Sequence, residues 1–183
     1  MELAIPTLHD DVIALRPPGP ADVDAIYADI TDPDIGKFTA IPWPYERQHA
    51  VTWVDETTRK WADGTGAGFL TVDAATDELL GGIGFPIFDP ENGLAEVGYW
   101  VKKEARGRGI APRAVVLAST WIVGDLGFGR VELQTDVRNH ASQRVAEKAG
   151  YRREGEVDPP ERCRERSERM VMFSLGAEAT ADR

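Results

Sequence analysis

Apolar and polar positions follow two different periods along this chain, and the changes between them mark the elements. Val12–Arg16 alternates apolar and polar and then meets Pro17, Pro18 and Pro20, which predicts a short first strand ended by a turn. Ala21–Ile30 puts Val23, Ile26, Tyr27 and Ile30 on one helical face, with acidic residues near its start, and Asp32-Pro33 closes that helix. Ile35–Pro44 reads as a loop rich in proline and aromatics. A longer helix follows from Glu46 to Ala62, where Ala50, Val51, Val54, Thr58 and Trp61 share a face, and Asp63-Gly64 ends it. Then the period shortens to two. Gly68–Asp73, Leu79–Phe88 and Leu94–Val101 are strand-like runs with short turn-like links, which predicts an antiparallel meander. A helix over Ala111–Asp125, a strand over Arg130–Val137, a helix over His140–Ala149 capped by Gly150, and strands over Arg152–Val157 and Arg166–Leu175 complete the order. The tail Gly176–Arg183 is small and polar and is expected to fray.

The expected fold class is therefore mixed α/β (α+β), a mostly antiparallel sheet flanked by about four helices, in a single domain over residues 1–183. Leu94–Val137 is a strand-helix-strand unit, so its two strands must pair in parallel through a right-handed crossover. Ligands of such units gather at the carboxyl ends of the strands, where the helix N-terminus also points.

Composition narrows the chemistry. With 42% hydrophobic residues the 183-residue chain can build an ordinary core. Its apolar runs are too short to cross a membrane, and Met1–Asp11 lacks the basic start and apolar stretch of a signal peptide. The single cysteine, Cys163, excludes an internal disulfide and a cysteine-built zinc site, and His9, His49 and His140 are too scattered for a metal cluster. A cytoplasmic protein without metal is expected, with no membrane partner. The formal charge of −10 disfavours nucleic acid as the main partner. It is compatible with a cationic acceptor such as an amine, though a purely solubilising surface is the commoner reason for such acidity.

The most informative segment runs from Tyr99-Trp100-Val101 through Lys102–Ala105 to Arg106-Gly107-Arg108-Gly109-Ile110-Ala111. A strand ends, a basic glycine-rich turn follows, and a helix begins. Glycines let the backbone approach a bulky anion, and the first N–H groups of the helix aim at the same place. Arg106 and Arg108 add charge at the rim. No Gly-x4-Gly-Lys-Ser/Thr is present, and Gly107, Gly109, Pro112 lacks the third glycine of a dinucleotide fingerprint. On these residues alone a pyrophosphate site and a basic turn that merely caps a helix stay equally open.

The segment Arg106–Ala111 resembles the Gln/Arg-x-x-Gly-x-Gly/Ala signature of the GNAT acetyltransferase superfamily. Ala95–Val101 resembles the strand before it, and Asn139–Ser142 with Val145–Tyr151 and Glu154-Gly155 resembles the downstream motif. Together with Leu15-Arg16-Pro17 and the element order, they are similar to the RimJ/RimL-like branch that holds the ribosomal-protein N-terminal acetyltransferases. The resemblance implies a GNAT fold whose sheet splays at the central parallel strands. It also implies acetyl-CoA as co-substrate.

The resemblance assigns residues as well. Tyr99, Trp100 and Val101 would bond the pantetheine arm through their backbone. Arg106, Gly107, Arg108, Gly109, Ile110 and Ala111 would take the pyrophosphate, Pro112 having no N–H to give. Asn139 would bond the pantetheine arm, cap the helix His140–Ala149, or do both. Glu96 would be the general base that frees a neutral amine. The tyrosine acid common in the superfamily is replaced by Ala146, so Ser142 would give the departing thiolate a proton or a hydrogen bond, unless it is only a helix-surface serine in a first turn. A backbone N–H near Val101 would polarise the thioester carbonyl. Phe38, Trp43, Tyr45 and Trp53 fall where acceptor pockets form, though core packing is the commoner fate of aromatics. Tyr151 fits the core, and Cys163 in a charged turn is not expected to be a nucleophile. The stretch Arg152–Arg169 holds six arginines and six acids and reads as a solvated hairpin or a dimer edge. Monomer and homodimer both stay open.

The expected reaction is acetyl transfer to a primary amine, foremost a protein or peptide N-terminus. A small amine (an antibiotic, a polyamine or an amino acid) is the alternative acceptor. A non-catalytic acyl-CoA-binding protein is the alternative from another class.

Overall fold

In the computed structural model, which describes residues 5–30, 32–165 and 167–176, eight strands form one sheet in the order β1-β2-β3-β4-β5-β6-β8-β7. The strands are β1 (Leu8–His9), β2 (Ile13–Arg16), β3 (Gly68–Asp73), β4 (Leu79–Asp89), β5 (Leu94–Val101), β6 (Arg130–Asp136), β7 (Arg152–Val157) and β8 (Met170–Gly176). Five α-helices accompany them: α1 (Val23–Asp29), α2 (Pro33–Phe38), α3 (Arg47–Asp63), α4 (Ile110–Gly124) and α5 (His140–Lys148). All neighbouring strands run antiparallel except β5 and β6.

Three expectations need correction. The stretch Ile35–Pro44 is not all loop, because α2 spans Pro33–Phe38. Asp32-Pro33 closes one helix and opens the next: the Asp32 side chain accepts from the Asp34 N–H at 3.0 Å, and proline suits a first helical turn. The last strand begins at Met170; Arg166, where it was expected to start, lies outside the described residues. Gly176 belongs to β8, and the rest of the expected tail, 177–183, also lies outside them.

Alternate residues of β3 enter two different apolar clusters, as the pleat requires. Leu70 and Val72 join Val23, Ile26, Ala50 and Val54 under α1 and α3. Phe69 joins Ile13, Ile83, Val115, Ile122, Leu133 and Phe173 in the cluster that holds α4. Trp61, at the end of α3, ties the two helical layers by edge contact with Phe69 (centroids 5.2 Å apart) and by packing on Trp121 of α4 at 5.5 Å. Its indole N–H donates to the Gly68 carbonyl at 3.1 Å, so the buried ring leaves no polar atom unpaired.

The feature that makes room for a site is the parting of β5 from β6. Their parallel pairing covers only Leu94–Glu96 against Arg130–Glu132. β5 stays paired with β4 up to Val101. Between Gly84↔Gly98 and Ile87↔Glu96, β4 spends two residues, Phe85 and Pro86, against the single Val97. Such a bulge bends and twists the strand pair. It falls where β5 leaves β6, so the β4-β5 ribbon turns away and a cleft opens beyond Glu96.

Candidate active site

The glycine-rich turn closes one end of this cleft. After Val101 a 3₁₀ turn (Lys103–Ala105) leads to Arg106, and Gly109 forms the N-cap of α4. Gly107 and Gly109 have φ of 76° and 77°, a left-handed region that costs other residues steric energy. A Cβ at either would meet no heavy atom within 4 Å, so the space over both is open. Among the described residues the N–H groups of Gly107, Arg108 and Gly109 have no backbone acceptor. Those of Ile110 and Ala111 open α4 and have none inside the helix. The turn is thus a cradle of backbone donors at the positive end of a 15-residue helix.

The two arginines behave differently from each other. Arg106 is committed within the protein: its Nε donates to the Val101 carbonyl at 3.2 Å, and Nη1 lies 2.7 Å from Asp32 Oδ2. Its guanidinium braces the turn against the start of α2. Arg108 is exposed and lies outside the cavity wall described next.

A cavity of about 470 Å³ runs from the turn along the parted strands. Its wall brings together Glu96, Tyr99, Trp100 and Val101 of β5, Arg106, Gly107, Gly109, Ile110 and Ala111 of the turn, and Asn139 and Ser142 of α5. The Asn139 side chain accepts from the Ser142 N–H at 3.1 Å, which makes it the N-cap of α5. Ser142 Oγ lies 2.8 Å from the Tyr99 hydroxyl, a bond that joins α5 to β5 across the cleft. Burial pushes the Tyr99 phenol up to about 12, with Ser142 opposing, so it stays protonated at neutral pH.

Glu96 is 5% exposed. Burial raises its carboxyl above the ordinary range, the Arg162 guanidinium opposes that, and Glu132 adds to it. Arg162 Nη2 donates to Glu96 Oε1, and Gln134 Nε2 stands 3.4 Å from Oε2. Arg162 comes from the stretch that the sequence presents as a solvated hairpin; instead its 3₁₀ turn (Glu161–Cys163) puts both Arg162 and Cys163 on the cavity wall. Nothing local signals this, since Glu96 and Arg162 are 66 residues apart. Tyr151 is buried, its hydroxyl bonded to Ser119 at 2.6 Å in the core.

A second cavity, about 390 Å³, opens on the α1-α3 side and shares Thr39, Ala40, Pro86, Gly98, Tyr99 and Trp100 with the first. Tyr45 and Trp53 line it with His49 and Glu56. Burial pushes the Tyr45 phenol up to about 12. The aromatics expected at an acceptor pocket therefore separate. Tyr45 and Trp53 face the second cavity and Phe38 the first, while Trp43 is 41% exposed, covers Gly36 and lines neither.

Comparison with known proteins meets this geometry. Residues 13–152 match the family described as the acetyltransferase (GNAT) domain. The chain belongs to the GNAT acetyltransferase family. This GNAT protein is 27% identical over 169 residues to the uncharacterized N-acetyltransferase p20 of Bacillus licheniformis, covering 92% of this chain and 95% of that one. It is 30% identical over 107 residues to the ribosomal-protein-serine acetyltransferase of Escherichia coli (strain K12), covering 55% and 60%. Its fold matches that of RimL, a ribosomal-protein alpha-N-acetyltransferase solved with coenzyme A, at a TM-score of 0.83 and 19% identity over 93% and 98% of the two chains. As a GNAT enzyme it is an acetyl-CoA-dependent acyltransferase.

The residues present fit that co-substrate. The open space over Gly107 and Gly109 and the unpaired N–H groups suit a diphosphate, and the cleft beside β5 suits an extended arm. Among the described residues no group of His, Cys, Asp and Glu is placed to hold a metal, and no helix is long and apolar enough to cross a membrane.

Proposed function

We propose that this GNAT enzyme acetylates the free N-terminal amine of a protein or peptide in the cytoplasm, by direct attack of the amine on the thioester. The observation that carries the reading is one cavity wall holding a buried carboxylate, a hydroxyl pair and the glycine cradle together. The Escherichia coli relative, named a ribosomal-protein-serine acetyltransferase, supports a protein acceptor, and the name of RimL, an alpha-N-protein acetyltransferase, supports its N-terminal amine.

In this reading acetyl-CoA supplies an activated acyl carbon and a thiolate leaving group. The N–H groups of Gly107–Ala111 hold its diphosphate; Arg106 acts by bracing the turn through Asp32, and Arg108 adds charge outside it. The backbone of Tyr99, Trp100 and Val101 and the Asn139 side chain align the arm, and the N–H near Val101 polarises the carbonyl. An N-terminal amine is largely protonated at pH 7. Glu96 takes its proton, directly or through water. Ser142, in hydrogen-bond contact with the Tyr99 hydroxyl, gives a proton to the thiolate and takes one back from solvent. The second cavity, with Tyr45 and Trp53, takes the acceptor's first residues from the opposite side of β5.

The test is thiol release from acetyl-CoA with three acceptor sets: peptides with free N-termini, the same peptides N-blocked but carrying lysine, and small amines such as polyamines and aminoglycosides. Turnover confined to free N-terminal amines is expected. Turnover with small amines alone would replace the acceptor while leaving the donor half intact.

A further inference from the structure

The connection from β7 to β8 carries a feature that a surface hairpin does not need. Its 3₁₀ turn delivers the Arg162 guanidinium to Glu96 Oε1. The connection is anchored to the end of β6: Ser167 Oγ donates to the buried Asp136 carboxylate at 2.6 Å, and the Ser167 N–H donates to the Cys163 carbonyl at 3.0 Å. The placement of Arg162 is therefore built into the sheet.

Glu96 needs such a partner. A carboxyl at 5% exposure favours its neutral form, which cannot accept a proton. Its other surroundings do not help. From β6 come the neutral Gln134 and the like-charged Glu132, and β4 sets Ile87 opposite it, while Pro86 and Met170 line the same cavity. Arg130 on β6 is engaged with Glu132 at 2.7 Å and Glu154 at 2.6 Å. The two oxygens of Glu96 are also unequal. Oε1 carries the charge-assisted bond to Arg162, whereas among the described residues Oε2 has only the long 3.4 Å approach of Gln134.

We propose that Arg162 is a positioning residue for the acetyl transfer: by occupying Oε1 it keeps Glu96 in its carboxylate form and leaves Oε2 as the oxygen that accepts the amine's proton. The inference rests on Glu96 being the base. The proton leaves the acceptor nitrogen for Oε2 as the N–C bond forms and the C–S bond breaks, and Glu96 returns it to solvent afterwards.

Four proteins and three readouts test this. The pH profile of kcat/KM is measured for the native enzyme, Arg162→Gln and Arg162→Lys. The Glu96 carboxylate is followed in each by infrared titration, with Glu96→Gln as the subtraction. In Arg162→Gln the acidic limb and the infrared titration should both move up by about one pH unit or more. Acetyl-CoA affinity should stay within about twofold, since among the described residues Arg162 hydrogen-bonds Glu96 and not the glycine turn. Arg162→Lys, which keeps the charge, should restore most of the shift. If Arg162→Gln does not fold, the native titration alone decides: a Glu96 protonated at pH 7 overturns the proposal. An unmoved limb in Arg162→Gln, together with lost turnover in Glu96→Gln, overturns the proposal and spares the base. Full turnover by Glu96→Gln overturns the base and the proposal with it.

Discussion

Tyr99 and Ser142 are 43 residues apart, yet their oxygens sit 2.8 Å from each other across the parted strands. From the sequence, Tyr99 offers a backbone to the cofactor arm and Ser142 a lone hydroxyl in a first helical turn; neither reveals that the two side chains form one unit. The pairing depends on where β5 and α5 lie in the folded sheet, and no local period encodes that. If the pair delivers the proton to the departing thiolate, either oxygen alone leaves a broken relay. Ser142→Ala and Tyr99→Phe are each expected to lower kcat by roughly 10- to 100-fold, somewhat below the usual range for a positioned acid because a thiolate leaves readily. The KM for acetyl-CoA should move less than about threefold. The double variant should be little worse than the worse single one, as groups acting together are not additive. Steady-state kinetics on all three measures this, and unchanged kcat in both single variants would remove the pair from the chemistry.

At the scale of elements, what could be read from the chain is what depends on neighbours in sequence. The turn Arg106–Ala111 was legible because glycines at φ 76° and 77° and a helix start act within a few residues. The parallel β5-β6 unit was legible because one helix joins two strands, and Asn139 was legible as a cap. Helix α2 was not, because its start signal, Asp32-Pro33, also serves as the stop of the segment before it. The bulge opposite Val97 and the reach of Arg162 to Glu96 were hidden for the opposite reason, as both depend on strand register and long-range contact. The turn itself gives a sharp test. Gly109→Glu puts an acid at the N-terminus of α4, where the helix dipole favours it and offsets part of the left-handed strain. The same charge would face the diphosphate. The melting temperature should fall by no more than a few degrees, while acetyl-CoA binding by calorimetry should weaken at least about tenfold, or about 1.4 kcal/mol. Undiminished binding would mean that the diphosphate lies elsewhere.

Across the whole molecule, β6, β8 and β7 are held by ion pairs as well as by packing, and this gives the fold a pH dependence with a definite sign. Arg130 grips Glu154 through two bonds of 2.9 and 2.6 Å, and Ser174 donates to the same carboxylate at 2.7 Å. Those partners, Arg130 foremost, hold Glu154 down at about 2 against an ordinary 4.5. At the other end of β6, Arg138 first and Ser167 after it hold the buried Asp136 well below the carboxylate range. Asp10, Asp22 and Asp32 are lowered too, whereas Asp29 and Glu96 are raised by burial and pull the other way. A carboxylate whose folded value is depressed stabilises the fold above its unfolded value, and that stability is lost as pH falls through the folded one. The lowered set is the larger, so the melting temperature should decline from pH 4.5 downward. Glu154→Gln isolates one contribution. It should melt below the native protein at pH 7, because the Arg130 pair is gone. Its decline between pH 4.5 and about 2 should be shallower, because one titrating carboxylate is missing. The two curves should approach each other near pH 2, where native Glu154 is itself becoming neutral. Melting curves by circular dichroism over this range decide it: parallel curves would mean that the Arg130–Glu154 pair is present in the structure without contributing to stability, as exposed ion pairs often are.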